Sequence, residues 1–234
     1  MNNSGKSQAS LHRQSTIMAG ILSFALLMPT CAISTETEIT AADKPQPITN
    51  ELTKALALTP DIANGKKIYP LCGSCHMKTG WGKKDGSFPD IAGQHRNVLI
   101  KQMEDIRNKH RDNPTMYPFS DPAEIGGLQG VSDVTAYIEQ LPPTPDPGVG
   151  KGDNLANGKK AYHEHCAQCH GDKGQGNNNA FFPKLKGQHH AYLLRQLRWI
   201  REGYRKNSNE AMLIQLKTLS DAELDAVADY LSRL

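Results

Sequence analysis

At 234 residues and a formal net charge of +3, the chain has room for one or two domains and too little positive excess for a nucleic-acid partner. Residues 33–145 carry 12 Lys/Arg against 14 Asp/Glu, and residues 146–234 carry 13 against 10. The two parts therefore have opposite net charge, which puts any electrostatic steering of a partner on one side of the molecule.

The first segment reads as an address rather than as structure. Met1–Thr16 is polar, with Lys6 and Arg13 and no acidic residue, and Ile17–Met28 is an apolar run of twelve before Pro29 and small residues. That layout predicts a secretory signal peptide over 1–32, since twelve apolar residues fall short of a membrane span. Export to the periplasm follows, with 33–50 as an N-terminal tail. Cys31 goes with the discarded peptide. Lipidation at Cys31 would want Gly or Ala directly before it, where Thr30 stands.

The other four cysteines fall in Cys72-Gly-Ser-Cys75-His76 and Cys166-Ala-Gln-Cys169-His170. C-x-x-C-H is the attachment signature of haem c. Two thiols three positions apart share one helical turn, so each can add to a porphyrin vinyl group, and the following histidine then stands beneath the iron. A zinc site would want its two pairs some 15–20 residues apart, whereas Cys75 and Cys166 are 91 apart. A thioredoxin-like dithiol would want a βαβ context, which is missing. Two haem c groups are predicted, held covalently by Cys72, Cys75, Cys166 and Cys169, with His76 and His170 as proximal ligands.

The surroundings repeat as well. Ala63-Asn-Gly-Lys-Lys-Ile-Tyr69 recurs as Ala156-Asn-Gly-Lys-Lys-Ala-Tyr162, and Phe88-Pro-Asp-Ile-Ala-Gly-Gln-His95 as Phe182-Pro-Lys-Leu-Lys-Gly-Gln-His189. The offset stays at 93 to 94 residues, too long for a solenoid unit, so a whole domain is duplicated. The expected domains are 51–143 and 152–234, joined by a Pro/Gly linker over 144–151. Each reads as a few helices with long loops. A middle helix is expected over about 95–110 and 189–205. The closing stripes are Val131, Val134, Ile138, Leu141 and Leu224, Val227, Leu231, Leu234, the second opened by a capping box at Ser220 and Glu223. Nothing alternates with period two for long enough to argue a sheet.

A haem that only carries electrons needs a second axial ligand, and a methionine thioether raises its potential. Met212 is the only methionine of the second domain, in a stretch expected between helices. In the first domain Met77 follows His76 too closely to reach the opposite face, and Met103 lies on a helix stripe. Met116, past Pro114 in a loop, is the choice. The rivals are histidines, above all His95 and His189, which correspond across the repeat. A proximal histidine donates its other ring N–H to a carbonyl or carboxylate. The carbonyls of Pro89 and Pro183 are candidates, unless these prolines only stiffen turns.

The stretch Asn157–Gly171 resembles the opening of class I cytochromes c, and the duplicated plan resembles the dihaem cytochrome c4 family. Phe182-Pro183, Gly187-Gln188, Met212 and Leu219-Ser220-Asp221 share the resemblance, which covers nearly the whole mature chain. It implies an all-α fold of two tandem class I cytochrome c domains, each wrapped around one covalent haem with His76/Met116 or His170/Met212 ligation. It also implies that Gly65 and Gly158 let the first helix of each domain cross closely over Tyr137 and Tyr230. The first domain departs from the pattern in three places. Met77 replaces the glycine after the haem histidine, Pro70 interrupts the approach to Cys72, and Gly126-Gly127-Leu128 replaces the Leu-Ser-Asp helix start.

The expected function is transfer of electrons in the periplasm between a respiratory or dehydrogenase donor and a terminal oxidase or reductase. The alternative is a haem subunit or dedicated acceptor of a periplasmic dehydrogenase acting on an alcohol, sulfur or nitrogen compound. Partners are redox proteins, with peripheral membrane association possible and no nucleic acid. An enzyme in its own right is less favoured. A dihaem peroxidase or gas sensor wants an open or displaceable site, and a dihaem thiosulfate dehydrogenase wants an axial cysteine. Arg195, Arg198, Arg201 and Arg205 recur along the middle helix of the second domain, as a solvated face pairing haem propionates or as a docking patch for an acidic partner.

Overall fold

The computed structural model describes residues 49–234. The expected signal peptide, Cys31 and nearly all of the N-terminal tail lie outside the described residues. Among these residues the regular structure is helical, with only two isolated backbone bridges, Arg111 to Arg205 and Asn177 to Phe182. The first half holds α1 (Asn50–Ala57), α2 (Ile62–Ile68), α3 (Pro70–His76), α4 (Arg96–Arg107), two 3-10 turns (Pro118–Ser120 and Pro122–Ile125) and α5 (Gly127–Glu139). The second holds α6 (Leu155–His165), α7 (Ala167–His170), α8 (His190–Arg201), α9 (Glu210–Lys217) and α10 (Asp221–Ser232). The expected middle helices are α4 and α8. No helix of the described residues is long and apolar enough to cross a membrane.

Local chemistry sets the helix ends. Asp61 accepts from the Asn64 N–H and starts α2, and the Ser220–Glu223 capping box opens α10. Pro70 occupies the first turn of α3, where a missing N–H costs nothing, so the approach to Cys72 becomes two short helices. At the start of α5, where Leu-Ser-Asp is absent, no side chain caps the helix. Gly126 turns the chain instead, at φ 88°.

In each half the helix that leads toward Cys-x-x-Cys-His, α2 or α6, crosses the last. In the first half α1 precedes it, so Gly65 lies on the second helix rather than the first as expected. At Gly65 a Cβ would overlap the Asp133 carbonyl, and at Gly158 the Ala226 carbonyl, so only glycine permits these crossings. The Tyr69–Tyr137 and Tyr162–Tyr230 ring pairs, with centroids 5.3 and 5.8 Å apart, close over them. Each half keeps its own apolar cluster, one around Leu52, Ile100 and Val134, the other around Tyr162, Leu224 and Leu231. The stripe of α5 is buried at Val131, Val134 and Ile138, while Leu141 lies past its end, half-buried.

A buried carboxylate on each closing helix ties down the chain that enters its half. Asp133 accepts from the Asp61 N–H (2.8 Å), Asn64 Nδ2 (2.7 Å) and Gln129 Nε2 (2.6 Å). Asp229 accepts from the N–H groups of Gly150 (2.9 Å) and Gly152 (2.6 Å) and from Arg233 Nε (2.8 Å). The Pro/Gly segment before α6 is therefore pinned rather than a free spacer. Gly148 adds to this, its N–H donating to His189 Nδ1 at 3.0 Å and its carbonyl accepting from the His190 N–H at 2.7 Å.

The halves meet through reciprocal contacts made by the repeated Gly-Gln-His. His95 Nε2 donates to the Gln175 carbonyl at 2.8 Å and His189 Nε2 to the Trp81 carbonyl at 2.7 Å. Gln94 grips the backbone of Lys184, and Gln188 that of Asp90, each through N–H and C=O together. Trp81 and Gln175, and Asp90 and Lys184, are themselves counterparts in the repeat.

Burial opposes the ionised Asp229, but Arg233 and the Gly152 and Gly150 N–H groups outweigh it and hold the pKa below its ordinary value of 3.8. A pKa lower in the folded than in the unfolded chain stabilises fully above about pH 4, and that stabilisation fades as pH falls through the lowered value. Asp229→Asn is expected to cost about 2 kcal/mol at neutral pH. Denaturant midpoints of variant and parent should converge below about pH 4.

Candidate haem sites

Each C-x-x-C-H is carried into place by a short helix, α3 or α7, that ends on its histidine. None of the four cysteines forms a disulfide. Burial pushes the Cys72 thiol up to about 11, and burial with Cys169 beside it pushes Cys166 up to about 12. His76 and His170 are only 6% and 7% exposed. Nδ1 of His76 lies 3.0 Å from the Pro89 carbonyl, and Nδ1 of His170 lies 3.1 Å from that of Pro183. The repeated Phe-Pro thereby has a double role, since the Phe88 and Phe182 rings also stand against His76 and His170 with centroids 6.3 and 6.0 Å away.

Burial lowers the pKa of both imidazoles, the proline carbonyls oppose it, and the charges of Arg111 and Arg205 lower it further. Both rings are therefore neutral at neutral pH, with the proton on Nδ1. Nε2 of each has no hydrogen-bond partner among the described residues. That is the tautomer and the vacancy an imidazole needs to bind a metal.

One cavity of 740 Å³ runs between the halves, with His76, Cys72 and Met116 on its wall in the first and Pro183, Met212 and Leu231 in the second. Met116 lies in the expected loop. Its N–H faces the carbonyl (3.0 Å) and Oδ1 (3.4 Å) of Asn113. Met212 is placed differently from the expected stretch between helices, because it sits in the first turn of α9. Asn209, capping that helix through the Ala211 N–H at 2.8 Å, starts it early enough to include Met212. Both methionines thus stand three residues after an asparagine that anchors their turn. Met103 also reaches the cavity, but from within α4 while packed on the first core cluster. His95 and His189 are engaged by carbonyls of the opposite half, and His165 faces Gln215 and His190 faces Asp225.

Arg205 and Arg111, the second of which no sequence motif marks, decide what the cavity is built to hold. Arg111 donates to Gln102 Oε1 (2.6 Å), the Tyr192 hydroxyl (2.6 Å) and Gln196 Oε1 (3.3 Å). Arg205 donates to Gln196 Oε1 (2.9 Å) and Gln102 Oε1 (3.1 Å). Two guanidiniums, one from each half, therefore share two glutamine carbonyls, and among the described residues no carboxylate forms an ion pair with either. Burial, with Arg111 beside it, pushes Arg205 down to about 9. Nε of Arg195 and of Arg198 is also buried without a partner. A mostly apolar cavity edged by partly buried cations that lack carboxylate partners fits a flat apolar group bearing carboxylates, as haem does with its propionates. The four arginines on and after α8 do not form one face. Arg195 reaches the Gly86 carbonyl of the other half, Arg201 pairs with Asp221, and Arg205 is enclosed beside Arg111.

The family model for cytochrome c matches residues 62–142 and again 155–234. This chain belongs to the cytochrome c family. Cytochrome c4 of Azotobacter vinelandii is 31% identical over 192 residues, 74% of this chain and 89% of that protein. A protein of Stutzerimonas stutzeri (strain A1501) named thiosulfate dehydrogenase electron acceptor is 31% identical over 208 residues, 80% of this chain and 94% of its own. Among solved structures, reduced recombinant cytochrome c4 from Pseudomonas stutzeri superposes with a TM-score of 0.64 at 29% identity, over 75% of this chain and all of that one. The chain is thus a two-domain, all-α cytochrome of the cytochrome c4 type, with two haem c groups as its cofactors.

The departures of the first domain have physical counterparts in the structure. Met77 and Gly171 follow the two haem histidines at φ 67° and 79°, an extended region with positive φ that is open to glycine and strained for methionine. The Tyr69 hydroxyl, donating to the Met77 carbonyl at 2.8 Å, and the Tyr162 hydroxyl, donating to the Gly171 carbonyl, hold both residues there. Met77→Gly is expected to raise stability by about 1 kcal/mol and Gly171→Met to lower it by at least as much, read from thermal midpoints.

Proposed function

We propose that the chain is an exported electron carrier of the periplasm whose two haems are attached through Cys72/Cys75 and Cys166/Cys169. The axial pairs in this reading are His76 with Met116 and His170 with Met212. The observation that carries it is the doubled arrangement of a buried, carbonyl-held imidazole with its Nε2 free, together with a cavity lined by His76, Met116 and Met212. Haem c, once bound, would supply a one-electron iron couple, and thioether ligation by Met116 or Met212 would raise its potential. The chain's own residues do the rest. Pro89 and Pro183 fix the tautomer and orientation of the imidazoles, and Phe88 and Phe182 pack against those rings. Arg111 and Arg205 offer the positive charge that haem carboxylates need once buried. Neither site leaves a position for substrate in this ligation, which makes relay of electrons the function rather than chemistry on a bound molecule.

The donor or acceptor is a redox protein, either a membrane oxidase or reductase or a periplasmic dehydrogenase. The likeness to a protein named for accepting electrons from thiosulfate dehydrogenase favours a sulfur-compound dehydrogenase as donor. Reduction by such an enzyme at a rate that falls with ionic strength would support it.

Intact-mass measurement of the exported protein should show two covalent haems, with one lost in Cys72→Ala/Cys75→Ala and the other in Cys166→Ala/Cys169→Ala. Met116→Ala and Met212→Ala should each remove half of the weak red absorption band that reports methionine–iron ligation in the oxidised protein. Rapid carbon monoxide binding by the reduced parent would overturn the closed ligation.

A further inference from the structure

The residues that hold the halves together also reach the two proximal histidines. The Pro89 carbonyl that accepts from His76 Nδ1 belongs to the Pro89–Asp90 peptide. The N–H of that same peptide donates to Gln188 Oε1, in the other half, at 3.0 Å. The second site repeats this. His170 Nδ1 faces the Pro183 carbonyl, and the N–H of the Pro183–Lys184 peptide donates to Gln94 Oε1, in the first half, at 2.9 Å. Each glutamine is held the right way round. Oε1 of Gln188 also accepts from the His189 N–H at 3.0 Å, and its Nε2 donates to the Asp90 carbonyl at 2.7 Å. Oε1 of Gln94 also accepts from the His95 N–H at 3.1 Å, and its Nε2 donates to the Lys184 carbonyl at 2.9 Å.

A peptide bond is conjugated, so an acceptor on its N–H shifts electron density onto its carbonyl oxygen. Hydrogen bonds in such a chain strengthen one another, more so where water is excluded. A more electron-rich carbonyl draws harder on the imidazole Nδ1–H and makes the ring a stronger donor through Nε2. Stronger donation favours oxidised iron. The geometry points to Gln188 as a positioning residue that lowers the potential of the haem bound by His76, in the half to which Gln188 does not belong. Gln94 does the same for the haem bound by His170. The two effects are unequal. Gln188 and Asp90 are both buried, at 9% exposure each, whereas Gln94 and Lys184 are only partly buried. Gln188 therefore has the larger effect.

This inference rests on His76 and His170 being the axial histidines. The test uses the full-length dihaem protein, with redox titrations followed by paramagnetic NMR so that each haem is read separately. In Gln188→Leu the potential of the His76 haem should rise while the other stays. In Gln94→Leu the His170 haem should rise, by less. The Nδ1–H proton of the affected histidine should move upfield in the reduced protein, as a weakened hydrogen bond requires. Asn178→Ala removes a different bond between the halves, Asn178 Oδ1 to the Asn97 N–H at 3.0 Å, and should leave both potentials where they are. Should Gln188→Leu fail to fold, Gln188→Glu keeps an acceptor on the Asp90 N–H and should leave the His76 haem unchanged or lower it. A shift of the haem in the variant's own half, an equal shift of both haems, no shift, or a rise in Gln188→Glu would each overturn the inference. A protein without two covalent haems would instead overturn the reading of the sites themselves.

Discussion

An imidazole can serve as a metal ligand in this fold only if one nitrogen keeps its proton and the other is left bare, and the hydrogen bond from His76 or His170 to a proline carbonyl imposes that division. The bond needs a carbonyl at a fixed height above a helix that has just ended. The Phe-Pro loop supplies it thirteen residues on. Much of the local architecture follows from holding that loop still. Tyr69 and Tyr162 secure the residue after each histidine. The glycine crossings bring the closing helices near enough to back the loop, and the opposite half grips the peptide next to the proline.

Electrostatics explains why the halves cannot be treated as two independent units. Arg111 and Arg205 lie side by side across the junction, sharing the amide oxygens of Gln102 and Gln196. Two partly buried guanidiniums repel, and neutral amides satisfy their hydrogen bonds without cancelling their charge. The arrangement has its energetic sense in a protein that seats carboxylates in the same place. Haem carboxylates seated there would couple cofactor binding to closure of the junction, by removing the repulsion between the halves.

Much of this was legible in the sequence. The Cys-x-x-Cys-His pairs, the duplication and the capping box at Ser220 all depend on a few neighbouring residues or on a fixed period, and the structure shows them as expected. The glycine crossings come from the family resemblance instead, and hold with Gly65 on the second helix rather than the first. Met116 falls in its expected loop. Met212 lies inside a helix because Asn209 caps it, a start signal overlooked beside the stronger one at Ser220. The spacing of the α8 arginines alone suggests one face, which the structure does not form. Arg205 lies beyond the last turn, where helical periodicity no longer applies, and pairs with a residue 94 positions away. Gln94 and Gln188 stood in plain view within the repeated block. Their task involves the other half of the molecule, and no local pattern reports that. The signal that would have exposed it is the repeat itself, since a polar pair kept in both halves without serving the haem directly must serve what the halves have in common.

The reciprocal grip of Gln94 on Lys184 and of Gln188 on Asp90 is made by equivalent residues on both sides, which is how the faces of a symmetric dimer meet. A face that recognises its own copy is useful to a lone domain only when enough of that domain is present. The Pro/Gly segment, tied at one end by Asp229 and His189, turns that encounter into one within a single chain. The local concentration of the second face is then set by a short tether rather than by expression level. The pairing of the halves of this cytochrome is accordingly independent of dilution, and so are the two haem environments that depend on it.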